Sequence, residues 1–384
     1  MTSDTTATLA AELPTYTRWP LTIVRGSGST VWDDSGKSYL DLYAGHAVAA
    51  TGHCHPEVVR AISEQAKELL FYSNVVALPI RARAAAAIVA QAPAPLTKVF
   101  FVNSGTEANE NAMRLARRAT GRSDVISFEG GFHGRTADAI SAAGLAKYRE
   151  LGRPNVPGHR IVPFGDLAAA DRALDANVAA LLIEPIQSLA GVLTAPAGYL
   201  NGLRELCDRK GAKLIYDEVQ TGFGRTGRFF YAGKDGVVPD LVTLAKGIGS
   251  GFPMGAVLVS EEIAAKVVPE EYGTTFGGGP LACAAAVATV AVIEKEALLA
   301  NVVRGSRELV SGLSRLRGVR EVRGEGFLLG IVLDRPARPV REALLAKGIL
   351  VGGSDQSDVL RLLPPLILQA REIQTFLAAM AEVL

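Results

Sequence analysis

Short apolar runs rich in β-branched and aromatic residues alternate with longer helical patterns through the middle of this 384-residue chain. Such runs are typical of strands that are buried on both faces of a sheet. The alternation predicts an α/β fold with a mostly parallel central sheet and helices on both of its faces. The predicted strands are 99–102, 125–128, 181–183, 213–216, 241–244 and 256–259, and the clearest helices between them cover 108–119 and 200–207. In such folds ligands bind at the carboxyl ends of the strands.

The two ends of the chain depart from this alternation. A hairpin is predicted from Ile23 to Leu42, and a strand at Leu328–Leu333 and a closing helix at Arg371–Leu384 are predicted near the other end. No linker rich in serine or proline separates these parts from the middle. We therefore expect a large domain over residues 49–294, with residues 1–48 and 295–384 joined in one smaller α+β domain.

Charge, cysteine content and hydropathy narrow the classes of partner. The 40 basic and 39 acidic residues nearly balance, which gives no indication of nucleic acid or of a membrane surface as partner. The three cysteines include no CxxC pair, which argues for a reducing compartment. Met1–Glu12 lacks the basic and apolar regions of a secretory signal, and the apolar stretch Leu281–Ile293 is too short to span a membrane. We expect a cytoplasmic protein.

A lysine and an acid follow two of the predicted strands. Lys246 lies among small residues, apolar residues and glycines, where loss of solvation makes an amine a better nucleophile. Asp217 closes the strand 213–216 and is placed to pair with a protonated ring nitrogen. Pyridoxal phosphate requires both groups: a Schiff-base lysine, and a carboxylate that keeps the pyridinium protonated. A surface lysine and a strand-end cap are the alternative interpretations of either residue alone, and the pair favours the cofactor.

Two further segments begin where predicted strands end. Ser104 and Glu107 have the spacing of a capping box, and the helix that they open would favour an anion such as the cofactor phosphate. After the next strand, Phe132 can stack on a ring and Arg135 can bind a carboxylate through two hydrogen bonds. An ordinary helix cap, a core phenylalanine and a surface arginine are the alternatives.

Two other segments are less specific. Residues 273–280 contain two threonines and several glycines before a helix, which suits either a phosphate site or a simple loop. His53 and His55 flank a cysteine as metal ligands can, but no second cluster of ligands has a suitable spacing. We therefore expect no metal site.

Together these motifs resemble the class III pyridoxal-phosphate aminotransferases, which have fold type I, and most of all the acetylornithine aminotransferases. The matching segments are SGTEANE (104–110), FHGRT (132–136), IEPIQ (183–187), YDEVQTGFGRTG (216–227), LAKGIGSGFPMGA (244–256) and TTFGGGPLA (274–282). They occur in the family's order and spacing over nearly the whole chain. The resemblance implies ping-pong transfer of an amino group from N2-acetylornithine to 2-oxoglutarate, by a homodimer whose active sites are shared across the interface.

The resemblance also implies the contacts of pyridoxal 5′-phosphate. Lys246 would form the Schiff base and move a proton at the substrate carbon, and Asp217 would pair with the pyridine nitrogen. The other implied contacts are Gly105 and Thr106 at the phosphate, Phe132 above the ring, Val219 beneath it, Gln220 at its hydroxyl, and Thr275 of the partner subunit at the phosphate.

The implied substrate contacts come from several motifs. Arg135 would bind a substrate carboxylate, with Thr274 beside the substrate. Arg361 matches the family's C-terminal arginine, which holds the α-carboxylate of glutamate or 2-oxoglutarate. His46 stands on the pocket side, where acetylornithine enzymes usually have an aliphatic residue.

Two further departures affect the substrate. Relatives usually continue the EPIQ motif with Gly-Glu, and that glutamate neutralises the C-terminal arginine when an ω-amino substrate binds. Here Ser188 and Leu189 occupy these positions, and Gly279 stands where an asparagine is expected. The resemblance therefore leaves the amine open.

Three other functions compete with this interpretation. The first is a class III aminotransferase for another amine or amino acid. The second is a lyase or decarboxylase that uses the same cofactor, which the intact pair Arg135 and Arg361 disfavours. The third is a binding protein that has kept the fold without the chemistry, which the intact pair Lys246 and Asp217 disfavours.

Overall fold

The computed structural model describes residues 11–384. Its strands are β1 (Ile23–Ser27), β2 (Thr30–Asp33), β3 (Ser38–Asp41), β4 (Leu96–Val102), β5 (Asp124–Phe128), β6 (His159–Val162), β7 (Val178–Ile183), β8 (Ile186–Gln187), β9 (Leu193–Thr194), β10 (Lys213–Asp217), β11 (Leu241–Leu244), β12 (Gly255–Ser260), β13 (Val319–Glu325), β14 (Leu328–Leu333), β15 (Ile349–Leu350), β16 (Gly352–Gly353) and β17 (Val359–Leu362).

The right-handed helices lie between and after these strands. They are α1 (Pro56–Glu68), α2 (Pro79–Val89), α3 (Gly105–Thr120), α4 (Ala137–Ser141), α5 (Ala146–Leu151), α6 (Leu167–Ala173), α7 (Tyr199–Lys210), α8 (Glu261–Ala264), α9 (Pro280–Lys295), α10 (Leu298–Leu313), α11 (Ala337–Ala346) and α12 (Ala370–Val383). Short 3-10 turns cover Lys234–Gly236 and Lys246–Gly249.

The central sheet has the strand order β4-β12-β11-β10-β7-β5-β6. The pairs from β11 to β6 are parallel, whereas β12 runs antiparallel to both of its neighbours. The predicted mostly parallel α/β sheet is therefore confirmed. The connection from β11 to the antiparallel β12 contains no α-helix and is too short for a parallel crossover. The sequence pattern does not predict β6, because His159 and Arg160 interrupt its apolar character.

Both faces of the central sheet are covered. Along β10, Ile215 belongs to the apolar cluster that includes Ala112 and Leu115 of α3, whereas Leu214 and Tyr216 belong to the larger cluster on the opposite side. All four positions of β11 are buried as well. Burial on both faces explains why these strands appear in the sequence as continuous apolar runs rather than as alternating patterns.

Strands from the two ends of the chain share one sheet. β1, β2 and β3 form an antiparallel meander that contains the predicted hairpin, and β15 pairs in parallel with β3. A second sheet, β13-β14-β17-β16, lies wholly in the C-terminal part. The proposed division at 1–48, 49–294 and 295–384 stays a prediction, and the pairing of β3 with β15 supports it.

Two expectations concern membranes and secretion. Within residues 11–384, no helix combines the length and the apolar character that crossing a membrane requires. The expectation that Met1–Glu12 is not a secretory signal concerns residues that, apart from the last two, lie outside the described part of the chain.

Candidate active site

A cavity of about 480 Å³ opens at the carboxyl ends of the parallel strands. Asp217 is the last residue of β10, and Lys246 lies two positions after β11. The predicted site residues that line the cavity are His46, Gly105, Thr106, Phe132, Arg135, Asp217, Val219, Gln220, Lys246 and Arg361. Elements far apart in the sequence thus bring these side chains to one place, at the edge of the sheet where ligands of such folds bind.

Lys246 begins a 3-10 turn and has a left-handed backbone, with φ of 46°. Burial lowers the pKa of its amine below the ordinary value, although the negative charges of Asp217 and Glu184 act in the opposite direction. A larger fraction of the amine is therefore neutral at a given pH than for an exposed lysine. A neutral amine is the form that attacks a carbonyl group.

Asp217 is buried and accepts hydrogen bonds of 3.0 Å or less from three donors. Its Oδ2 accepts from Asn109 Nδ2 at 2.8 Å and from His133 Nδ1 at 2.8 Å, and its Oδ1 accepts from the Val219 backbone N–H at 3.0 Å. Asn109 is fixed in turn, because its Oδ1 accepts from Thr243 Oγ1 at 2.7 Å. The carboxylate therefore has one orientation at the floor of the cavity.

The start of α3 forms a site that suits an anion. Ser104 Oγ accepts from the Glu107 backbone N–H at 3.3 Å, as the capping prediction requires. The reciprocal half of the predicted capping box is wrong: Glu107 Oε2 accepts from the backbone N–H and the side chain of Asn103, at 2.8 and 3.0 Å. Two donors on one residue replace the single N–H of Ser104. The first N–H groups of α3, at Gly105 and Thr106, have no partner within the helix and face an anion favourably.

Two glycines keep this end of the cavity open. A Cβ at Gly105 would lie 2.9 Å from a methyl carbon of Val219, and a Cβ at Gly134 would lie 2.1 Å from Thr106 Oγ1. The Thr106 hydroxyl is 2.6 Å from that of Thr136, in the neighbouring loop. Larger residues at the two glycine positions would fill the space beside the helix start.

Phe132 is positioned by a buried acid. Glu184, which follows β7, accepts from the Phe132 backbone N–H through Oε1 at 2.8 Å and from the Ser188 backbone N–H through Oε2 at 3.4 Å. Burial, with a smaller contribution from the negative charge of Asp217, raises the pKa of Glu184 to about 7. The Phe132 ring packs edge-on against Tyr148, with centroids 5.1 Å apart.

Arg135 stands between two aromatic rings at the cavity mouth. Its guanidinium carbon is 5.3 Å from the centroid of Tyr16 and 5.1 Å from that of Tyr148. In residues 11–384 it forms neither an ion pair nor a hydrogen bond with another side chain or with the backbone. Because aromatic rings contact the faces of a guanidinium, its in-plane N–H groups remain available to a carboxylate.

Arg361 lies at the buried end of the cavity, on β17. Nε donates to the Gly353 carbonyl at 2.6 Å, and Nη1 donates to Ser188 Oγ at 3.0 Å. Only 4% of the residue is exposed. Burial lowers the pKa of its guanidinium from the ordinary value, partly offset by the charges of nearby groups that include Glu184. The cavity therefore carries one guanidinium at its mouth and one in its depth.

His46 belongs to a short left-handed turn over Ala44–Ala47. The φ angles of Ala44, Gly45, His46 and Ala47 are 48°, 57°, 67° and 67°. Each non-glycine residue in this conformation costs about 1–2 kcal/mol. The turn places the His46 carbonyl 3.1 Å from Gln220 Nε2, which donates to it, and the imidazole 2.5 Å from the Tyr43 hydroxyl.

The His46 imidazole faces several cations. Burial, together with the positive charges of Arg361, Lys246 and Arg135, lowers its pKa to about 4. The ring is therefore neutral at physiological pH and offers one donor and one acceptor to the cavity and to Tyr43.

Thr274 and Thr275 do not line this cavity. Thr274 Oγ1 accepts from Asn103 Nδ2 at 3.2 Å and from the Gly277 backbone N–H at 3.1 Å, which fixes the loop before α9. Thr275 and the following Phe276 are exposed. The contact of Thr275 with the phosphate site of a partner subunit stays a prediction.

Several polar residues of the site carry roles that the sequence motifs do not indicate. Asn109 and Thr243 fix Asp217, His133 bonds to the same carboxylate, and Glu184 positions Phe132. One signal was visible for Asn109, since a polar residue on the apolar stripe of α3 needs a buried partner. The sequence offered no signal for the identity of that partner.

The histidines of the 53–55 segment bond to separate acids. His53 Nε2 lies 2.7 Å from Asp41 Oδ2, and His55 Nε2 lies 3.1 Å from Glu296 Oε1. Throughout the described part of the chain, no three histidine, cysteine, aspartate or glutamate side chains are grouped so that they could hold a metal ion.

Comparison with known proteins places this site in a family. The family model for "Aminotransferase class-III" matches residues 13–384. The acetylornithine aminotransferase of Methanopyrus kandleri is 46% identical over 372 residues, which are 96% of this chain and 96% of that protein.

Solved structures agree with this comparison. The structure of the ornithine aminotransferase of Toxoplasma gondii, which shows partial occupancy of PLP at its active site, matches with a TM-score of 0.92 and 31% sequence identity. The match covers 100% of this chain and 94% of that chain. The structure of the acetylornithine aminotransferase of Elizabethkingia anophelis matches with a TM-score of 0.87 and 29% sequence identity. This match covers 99% of this chain and 97% of that chain. The family resemblance read from the motifs is therefore confirmed, and the chain belongs to the class III aminotransferase family.

Proposed function

We propose that this aminotransferase moves the amino group of N2-acetylornithine to 2-oxoglutarate, with pyridoxal 5′-phosphate as its cofactor. One observation carries the proposal: a single cavity combines the Lys246 amine and the Asp217 carboxylate with two guanidinium groups, those of Arg135 and Arg361. A donor and an acceptor that both carry carboxylates need such cations in addition to the groups that serve the chemistry.

The chemistry of the cavity fits this cofactor. The free N–H groups at the start of α3 suit its phosphate, and the space that Gly105 and Gly134 leave open would be filled by any Cβ. The fixed Asp217 carboxylate suits a protonated ring nitrogen, Phe132 and Val219 suit the two faces of a planar ring, and Gln220 suits its hydroxyl. The T. gondii relative holds PLP at its active site, which supports the same assignment.

The residues of this chain divide the work. When bound, pyridoxal phosphate supplies a carbonyl group that exchanges amino groups and a conjugated ring that accepts the electron pair of the substrate carbon. Lys246 Nζ takes the proton from the carbon that bears the substrate amine, and its lowered pKa suits this role. Asp217 stabilises positive charge at the ring nitrogen.

The two arginines serve the two substrates of a ping-pong cycle. Arg135 holds the carboxylate of N2-acetylornithine, which lies far from the reacting amine. Arg361 holds the carboxylate next to the reacting carbon of 2-oxoglutarate. The 46% identity to the acetylornithine aminotransferase of M. kandleri supports N2-acetylornithine over other amines as the amino donor.

We propose in addition that the chain acts as a homodimer. Thr275 is exposed and lies outside its own cavity, as a residue that completes the phosphate site of a neighbouring subunit would. The next residue, Phe276, is exposed and packs against the exposed Phe71, with ring centroids 5.1 Å apart. An apolar surface of this kind favours a protein interface.

The test is a transamination assay with purified holoenzyme. With N2-acetylornithine and 2-oxoglutarate we expect formation of glutamate, a visible absorbance band from the bound cofactor, and loss of both activity and band in Lys246→Ala. Lys234→Ala removes a partly buried lysine that pairs with Glu325 outside the cavity, and should behave like the parent. Release of carbon dioxide or ammonia without glutamate would indicate a lyase, and full turnover by Lys246→Ala would refute the role of the lysine.

A further inference from the structure

Arg361 has only neutral partners, although it is buried. Its Nε donates to the Gly353 carbonyl and its Nη1 to the Ser188 hydroxyl. In the part of the chain that the structure describes, no carboxylate lies within ion-pair distance of this guanidinium. A buried cation without a counter-charge is unfavourable, so the site gains most when a ligand carboxylate occupies it.

The nearest candidate for a counter-charge is already engaged. Glu184 accepts from the backbone N–H groups of Phe132 and Ser188, one through each carboxylate oxygen. Its charge acts on Arg361 through space, but burial has the larger effect on the guanidinium, whose pKa is lowered. Leu189, which follows Ser188 in the chain, lines the cavity with an apolar side chain. No acid of this segment therefore contacts Arg361.

We propose that Ser188 is a positioning residue that orients Arg361 without neutralising it. Guanidinium has five N–H donors, and the bonds to Gly353 and Ser188 use two of them, which sets the plane of the group and leaves the others for a carboxylate. A hydroxyl accepts a hydrogen bond but carries no charge, so it does not compete electrostatically with the substrate.

The neutral surroundings of Arg361 also affect which substrates bind, an inference that rests on the proposed function. Arg361 stays available in both half-reactions, because no carboxylate of the cavity wall covers it in either one. Compounds with a carboxylate on the reacting carbon, namely 2-oxo acids and α-amino acids, should therefore bind in both directions. Glutamate should compete effectively with N2-acetylornithine as an amino donor.

The primary test replaces Ser188 in the holoenzyme. Ser188→Ala should raise the KM and the calorimetric Kd for 2-oxoglutarate about tenfold, as expected for loss of a hydrogen bond to a charged group. The kcat and the KM for N2-acetylornithine, whose carboxylate binds at Arg135, should stay within about twofold of the parent. Ser188→Thr keeps the hydroxyl and should restore most of the affinity for 2-oxoglutarate.

The matched control is Ser127→Ala. Ser127 is also buried and also bonds through its hydroxyl, to the Ala142 carbonyl at 2.6 Å, but it lies outside the cavity. Ser127→Ala should leave the KM of both substrates and the Kd of 2-oxoglutarate at the values of the parent. The proposal is overturned if Ser188→Ala leaves the Kd of 2-oxoglutarate unchanged, or if it weakens both substrates equally.

A second variant tests the absent counter-charge. Leu189→Glu introduces a carboxylate into the cavity that Arg361 also lines, so the ratio of kcat/KM for N2-acetylornithine to that for glutamate should rise at least severalfold. An unchanged ratio would contradict the proposal. If the parent does not transaminate N2-acetylornithine, the proposed donor is wrong, but the calorimetric comparison of 2-oxoglutarate between parent and Ser188→Ala still decides the role of Ser188.

Discussion

At the scale of single residues, the lysine and the acid of the sequence motif occupy one cavity, but their surroundings define what they can do. Asp217 is useful only because Asn109, His133 and the Val219 backbone hold it in one orientation. Lys246 was identified from its glycine-rich segment, and burial lowers its pKa as that segment indicated. The two side-chain partners, Asn109 and His133, were not predictable, because they come from α3 and from the loop after β5.

The charge of Asp217 can be tested separately from its shape. Asp217→Asn keeps the size of the side chain but removes the negative charge that would stabilise a protonated ring nitrogen. We expect kcat to fall on the order of a hundredfold or more, since electrostatic stabilisation is the main contribution of a protein to this chemistry.

The control for this substitution is Asp166→Asn, measured in the same steady-state assay. Asp166 caps α6 by accepting from the Ala169 backbone N–H at 2.8 Å, and asparagine caps a helix equally well. It should keep parental kinetics. A turnover of Asp217→Asn within about threefold of the parent would refute the electrostatic role, since that is well under 1 kcal/mol.

At the scale of elements, α3 has a different task at each end. Its first residue, Gly105, packs against Val219 at the floor of the cavity. Its C-cap, Gly121, has φ of 71° and closes the helix in the left-handed conformation. The start of this helix was predicted from Ser104 and Glu107, but only the packed structure shows that it borders the site.

Alanine at the two ends of α3 should separate cofactor binding from stability. In Gly105→Ala the new Cβ would lie 2.9 Å from Val219 and displace it, which we expect to cost about 1–2 kcal/mol and to weaken cofactor binding on the order of tenfold. Gly121→Ala meets no atom within 4 Å, but it places alanine in a left-handed conformation and should cost about 1 kcal/mol of stability.

Two measurements compare the variants. The cofactor Kd should rise only in Gly105→Ala, whereas the Tm of the cofactor-free protein should fall in both variants. Equal effects of both substitutions on the cofactor Kd would show that the packing of Gly105 against Val219 has no particular role.

At the scale of the whole molecule, the exposed apolar surface around Thr275 is the feature that a single chain leaves unexplained. Phe276 is 65% exposed and Leu70 is 64% exposed, and Phe71, which follows Leu70, packs against Phe276. If a second copy covers this surface, its Thr275 completes the phosphate site, and a separated chain has an incomplete one.

The prediction is that dissociation and cofactor loss occur together. Phe276→Asp places a charge in the proposed interface and should produce monomers in sedimentation velocity, with weakened cofactor binding and little activity. Val303→Asp is the control, since Val303 is 38% exposed on α10 and faces Gly227, and this variant should stay dimeric. A monomer that retains full activity would contradict the shared site.

The sequence by itself determined the α/β class, six of the seven strands of the central sheet, and the lysine and acid at their ends. These features depend on local composition: a strand buried on both faces must be a short apolar run, and a nucleophilic lysine needs apolar neighbours. Their signals are therefore contained in a few consecutive residues.

Only the tertiary structure decided which groups meet across the cavity. Asn109 and Asp217 are 108 positions apart, and Ser188 and Arg361 are 173 positions apart. Such contacts depend on how whole elements pack, and no local pattern encodes them. Packing of whole elements also decides the antiparallel direction of β12 and the hydrogen bonds of Glu184 with backbone N–H groups. The neutral partners of Arg361 are a third feature of this kind, which the sequence motifs do not contain.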